Sequence, residues 1–287
     1  LGVQGPMARN VADLCLLQSV MATDAGCDPL ATTIFGKRVR DPGDFHPVQS
    51  VDLGGLRVAI TPDFGFAPTE NHIREVFLEK VALFRHHFRS ISEATPDCTG
   101  TDDAFEVLRS TNFVAGHIGR WHTDRDKLGP NIVANMEAAL KYTIADVSRA
   151  GALQTQLYQR WQEFFRDFDV ILTPAITISP RPWTELFPKE IDGKPTRTYF
   201  HWLSMAYAVT VVGHPAVSLP VGRDRAGMPF GLQIVGPRGG DSRVLQVAAA
   251  LEAALANDPR TRRPVPDIAA LKAATPISEM PHFMGFN

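Results

Sequence analysis

Segments whose apolar residues recur at helical spacing alternate along this chain with short apolar runs, and that alternation restricts the fold more than any other feature. Asn10, with Asp13 three residues on, reads as a helix cap ahead of Val11, Leu14, Cys15, Leu17, Val20 and Met21, which predicts an amphipathic helix over Asn10–Ala22. Leu56–Ile60 is an apolar run ended by Pro62, a predicted strand. Thr69 then caps a predicted helix with apolar positions Ile73, Val76, Phe77, Phe84 and Phe88. Further helices are expected at Asp102–Gly119, near Asn131–Leu140, and from Thr143 through Phe168, followed by a strand at Asp169–Thr173. Helices followed by strands indicate an α/β class, with helices covering a mixed β-sheet.

The last third is the most legible. Phe200–Val211 is a helix stopped by Gly213 and Pro215; Ala216–Val221 and Phe230–Val235 are strands of a hairpin turning around Asp224–Gly227; Asp241 caps a helix over Ser242–Ala256. Turn signals make Gly26–Gly55 a loop and Trp183–Thr198 a surface excursion, and five prolines leave Pro259–Asn287 irregular and surface-wrapped.

Charge and composition exclude several functions. With 29 basic against 31 acidic residues in 287, the net charge of −2 gives no electrostatic reason for a nucleic-acid or anionic-membrane partner. No apolar run approaches the roughly 20 residues that span a bilayer. Cys15, Cys27 and Cys98 are too few and scattered for a disulfide framework or a CxxC zinc site, so a cytoplasmic setting is expected. Leu1 is not an initiator methionine, and Leu1–Pro6 lacks the basic start and apolar stretch of a signal peptide. The expectation is a chain beginning within something longer, whether by excision, processing or a truncated gene.

Local chemistry yields no convincing active site. No two of the 22 glycines are separated by a single residue, which removes the GxGxxG dinucleotide fingerprint; phosphate-loop, GxSxG and HExxH motifs are also absent. No cofactor or metal is therefore expected. Adjacent residues His86 and His87, if helical, point about 100° apart and cannot share a metal ion. Ser242 after Gly239-Gly240-Asp241 fits a turn and helix cap better than a nucleophile. A Ser218–His214 pair is conceivable but sits in a strand. Asp102 and Asp103 read as a helix cap, and the Arg260–Arg263 cluster as a solvated segment.

Three blocks, in order, resemble the amidase signature family: Gly5-Pro6-Met7-Ala8-Arg9 with Asp13; Phe168-Asp169-Val170-Ile171-Leu172-Thr173-Pro174; and the hairpin Gly213-His214-Pro215-Ala216-Val217-Ser218-Leu219-Pro220, continuing to Gly227-Met228-Pro229-Phe230-Gly231-Leu232-Gln233. The resemblance implies an amidase-type hydrolase of a small linear amide working through an acyl-enzyme, and it covers the back part of the family's domain. Residues 1–257 would be an incomplete amidase-signature domain and 258–287 a proline-rich tail. The family's Ser–cis-Ser–Lys triad has no counterpart here: no Gly-Gly-Ser-Ser-Gly-Gly run occurs, and none of the seven lysines precedes one. No catalytic position is carried over, and the chain alone is expected to be inactive. By position, the resemblance makes Pro174, Ile176, Phe200, Trp202 and His214 candidate walls of the substrate pocket, each equally readable as ordinary core. Two further roles fit the same blocks: the glutaminase component of a tRNA-dependent amidotransferase, or an inactive amidase-like binding module. Missing front strands would leave apolar faces and a strand edge bare, so homo-oligomerisation across that surface is expected.

Overall fold

A computed structural model describes residues 2–23, 33–34, 37–38, 40–182 and 184–280. Cys27, Trp183 and the final residues of the tail lie outside them.

Helix α1 (Val11–Met21) starts as its sequence predicts, with the Asn10 side chain accepting from the Asp13 backbone N–H at 2.7 Å. A two-residue hairpin, β1 (Thr33–Ile34) and β2 (Lys37–Arg38), precedes strand β3 (Arg57–Ile60), helix α2 (Asn71–Phe84) and strand β4 (Ser90–Glu93). Helices α3 (Thr101–Thr123), α4 (Pro130–Ala139) and α5 (Ile144–Phe164) lead into strand β5 (Val170–Pro174). A second short hairpin, β6 (Glu190–Ile191) and β7 (Lys194–Pro195), lies in the predicted excursion. Helix α6 (Ser204–Val212), strands β8 (Ala216–Arg223) and β9 (Pro229–Val235), and helices α7 (Asp241–Leu255) and α8 (Ile268–Ala273) complete the order.

The central sheet has five strands in the order β4-β3-β5-β9-β8. β3 runs parallel to β4 and β5, while β9 is antiparallel to both β5 and β8, so the sheet is mixed. Alternation of side chains along each strand divides the apolar residues between two cores. Val58, Ile60, Val170, Leu172, Leu232 and Ile234 pack beneath α1, α2 and α7. On the opposite face Ala59, Ile171 and Val235 meet Phe105 of α3, Leu157 and Trp161 of α5, and Met205 and Tyr207 of α6. The sheet is thus sandwiched between helical layers, an α/β arrangement.

Three local expectations are corrected, and one unpredicted strand is found. Thr69 does not cap α2: its hydroxyl donates to the Ala67 carbonyl, and the Asn71 N–H is taken by the carboxylate of Asp192 at 2.7 Å. Asp241 lies inside the first turn of α7 rather than at its cap, where it pairs with Arg40 at 3.6 Å. Helix α5 ends at Phe164, four residues short of Phe168. Strand β4, Ser-Ile-Ser-Glu, carries no apolar signature because it is an exposed edge whose pairing with β3 is made by backbone groups. Among the described residues, no helix is long and apolar enough to cross a membrane.

Candidate functional site

Strand β5 is wholly buried, and where it leaves the sheet the chain runs over an open cleft of about 300 Å³. Two bonds fix this departure. The buried Thr177 hydroxyl donates to the Trp202 carbonyl at 2.6 Å, and the Glu70 N–H donates to the Thr177 carbonyl at 2.8 Å. Trp202 sits on a single 3₁₀ turn, His201–Leu203, before α6, with its indole N–H donating to the Tyr199 carbonyl at 2.9 Å. Ile73, Ile176, Ile178, Trp202 and Phe230 make the cleft apolar, and Ser179, Arg181, Glu185 and Asp224 stand among its polar lining residues.

Each of those polar groups is already engaged. Glu70 accepts from both the backbone N–H and the hydroxyl of Ser179, at 2.8 and 2.7 Å. Arg181 binds Glu185 through two parallel bonds of 2.9 Å, which hold its guanidinium above its ordinary pKa and the Glu185 carboxyl below its own. Burial works to raise the Asp224 carboxyl, but hydrogen bonds from the Met228 N–H and from His72 outweigh it and keep the group low. This chain alone presents the cleft with an apolar surface and fixed charges at its rim. Among the described residues the lining holds no cysteine or lysine, and its Ser179 hydroxyl is tied to Glu70.

The candidate wall residues divide. Ile176, 40% exposed, and Trp202 line the cleft. Pro174, the last residue of β5, is buried opposite Leu232 in β9. Phe200 lies in the core beyond the sheet, its ring 5.5 Å from that of Phe105. His214 is buried there too, stacked 5.0 Å from Phe165, with Nδ1–H donating to the Gly236 carbonyl at 2.9 Å. It makes no bond to Ser218, which is exposed on β8. The rim residues Ser179, Arg181, Glu185 and Asp224 escaped sequence reasoning; the only signal was the i,i+4 spacing of Arg181 and Glu185 within a segment rich in turn residues. His86 and His87 lie on a 3₁₀ turn with ring centroids 4.1 Å apart, not splayed as in an α-helix. Among the described residues, no group of three or more His, Cys, Asp or Glu is assembled to hold a metal ion.

A mixed sheet between two helical layers, with a cleft where a central strand ends, defines an α/β domain. The Amidase family model matches residues 1–245. An acylamidase of Rhodococcus erythropolis is 29% identical over 255 residues, covering 87% of this chain and 51% of that protein. A glutamyl-tRNA(Gln) amidotransferase component from Halothermothrix orenii is 23% identical over 286 residues, covering 91% and 57%. Among solved structures, a bacterial aryl acylamidase of the amidase signature family superposes with a TM-score of 0.74 at 20% identity, over 89% of this chain and 53% of that one. The chain belongs to the amidase signature family of hydrolases. It spans about half the length of the curated relatives it matches.

Proposed function

We propose that this chain forms the acyl-pocket wall of an amidase that cleaves a small linear amide through an acyl-enzyme. The observation that carries the proposal is the coincidence of Ile176 and Trp202 in one apolar cleft at the end of β5. In such an enzyme the nucleophilic serine attacks the amide carbonyl, the amine leaves with a proton relayed from the lysine through the second serine, and water then releases the acid. None of those three groups belongs to these residues, whose task is to seat the acyl part and keep water from it. The rim charges of Arg181 and Asp224, together with the amidotransferase components among the relatives, favour a second reading, a glutaminase whose substrate carries charge at its far end.

The purified chain is expected to give no turnover of glutamine or of aromatic or aliphatic amides; unaided hydrolysis would overturn the proposal. In a product that also carries a Gly/Ser-rich loop and a preceding lysine, Ile176→Trp should raise KM for an aliphatic amide by about 10-fold or more, since filling an apolar pocket costs binding of this order. Comparing glutamine with neutral amides in that product separates the two readings. Absence of such a loop upstream would favour the inactive binding module.

A further inference from the structure

The Arg260–Arg263 run, solvated by its charge pattern, is pinned to the fold. The buried Lys80 of α2 donates from Nζ to the Arg260 carbonyl at 2.6 Å. Gly222 makes that approach possible: at φ +68° it occupies the left-handed region, and a Cβ there would lie 2.1 Å from the same carbonyl oxygen. The buried Thr261 hydroxyl donates to the Leu255 carbonyl at 3.2 Å, and the Arg262 N–H to the Asp258 carbonyl at 2.8 Å. The backbone that carries these arginines is thereby held in place.

What they surround is a second cleft, of about 680 Å³, lined by Lys80, Arg223, Arg260, Arg262 and Arg263 with Pro264 and Val265 beside them and, among the described residues, by no carboxylate. Asp258, the nearest acid in sequence, is taken by the guanidinium of Arg260 at 2.7 Å. Arg223 uses one Nη on the Gly227 carbonyl, at 2.7 Å. Among the described residues the side chains of Arg262 and Arg263 make no hydrogen bond or ion pair, and Lys80 makes no ion pair. Five basic residues line this one cavity in a chain whose net charge is −2, and of these the guanidinium groups of Arg262 and Arg263 are left without a partner among the described residues. Like charges repel, so such a cluster calls for an anion, and guanidinium forks match phosphoryl oxygens two at a time. A single carboxylate would satisfy one fork and leave the others unpaired.

We propose that this cleft binds an anion carrying two or more phosphoryl groups, with Arg262 and Arg263 as its principal donors and Lys80 as a positioning residue that sets the loop. The proposal is independent of the amide chemistry at the first cleft. Titration calorimetry of the 287-residue chain with inorganic pyrophosphate and with ATP, in about 50 mM salt, tests it. Both ligands should bind with affinity that falls as salt rises, and R262A/R263A should weaken each by about 10-fold or more while its thermal melt is unchanged, because neither side chain supports the fold. Tighter binding of ATP than of pyrophosphate would extend the ligand over Pro264 and Val265; equal binding would limit it to the phosphoryl groups. The proposal is overturned if neither ligand binds, if the double variant binds as the parent does, or if citrate competes as well as pyrophosphate.

Discussion

His214 is held neutral by its surroundings. A carbonyl can only accept, so the contact with Gly236 assigns the proton to Nδ1, and Nε2 lies buried without a partner beside Phe165 and Trp161. Burial pushes its pKa below the ordinary histidine value. Protonation therefore favours the unfolded chain: this contribution to stability is complete above about pH 6.5 and is lost progressively as pH falls below it. His214→Phe should flatten the loss of Tm between roughly pH 7 and pH 5, while costing about 1–3 kcal/mol at neutral pH through the orphaned Gly236 carbonyl. Parallel Tm profiles for the two proteins would show that His214 does not titrate in this way. The same geometry places it away from the cleft at the end of β5, a distinction its Gly-x-Pro neighbours do not reveal.

Elements formed where local chemistry was self-sufficient. Thr143 and Asp146 make a reciprocal capping box that opens α5: the Asp146 N–H donates to the Thr143 hydroxyl, and Asp146 accepts from the Thr143 N–H at 2.7 Å. Thr143→Ala should therefore cost about 1 kcal/mol in urea unfolding, with the m-value unchanged. No measurable loss would mean that packing of Trp161 and Leu157 alone decides where this helix forms. The β8–β9 hairpin was equally local, since alternating apolar residues and the Asp224 turn specify its register. Strand β4 was not legible, because it exists only as the backbone partner of β3. Thr69 has the residue type of a cap, but the actual acceptor, Asp192, comes from 121 residues beyond Asn71.

Across the fold as a unit, β8 is an edge strand whose Val217, Leu219 and Val221 enter the core while Ala216, Ser218 and Pro220 face outward, exposed. Helix α1 likewise turns Leu16, Leu17, Val20 and Met21 outward, with Val20 64% exposed. An unpaired strand edge and clustered apolar side chains favour association with another chain. We propose that the 287-residue chain self-associates through the free edge of β8 and the exposed apolar side of α1. Light scattering should give a mass above that of one chain, accompanied by binding of a hydrophobic dye, and a monodisperse monomer with no dye binding would contradict the proposal.

Periodicity, caps and turns act over a few residues, and so the α/β class, most helices, the terminal hairpin and the family blocks could be read from residue order alone. Which candidate residues meet was settled by packing. Pro174, Phe200 and His214 were drawn into cores, Ile176 and Trp202 reached a cleft, and Lys80 and Arg223 were brought beside the Arg260–Arg263 run at another. Proximity across more than a hundred residues depends on how the sheet and its helical layers pack, and no local pattern encodes that.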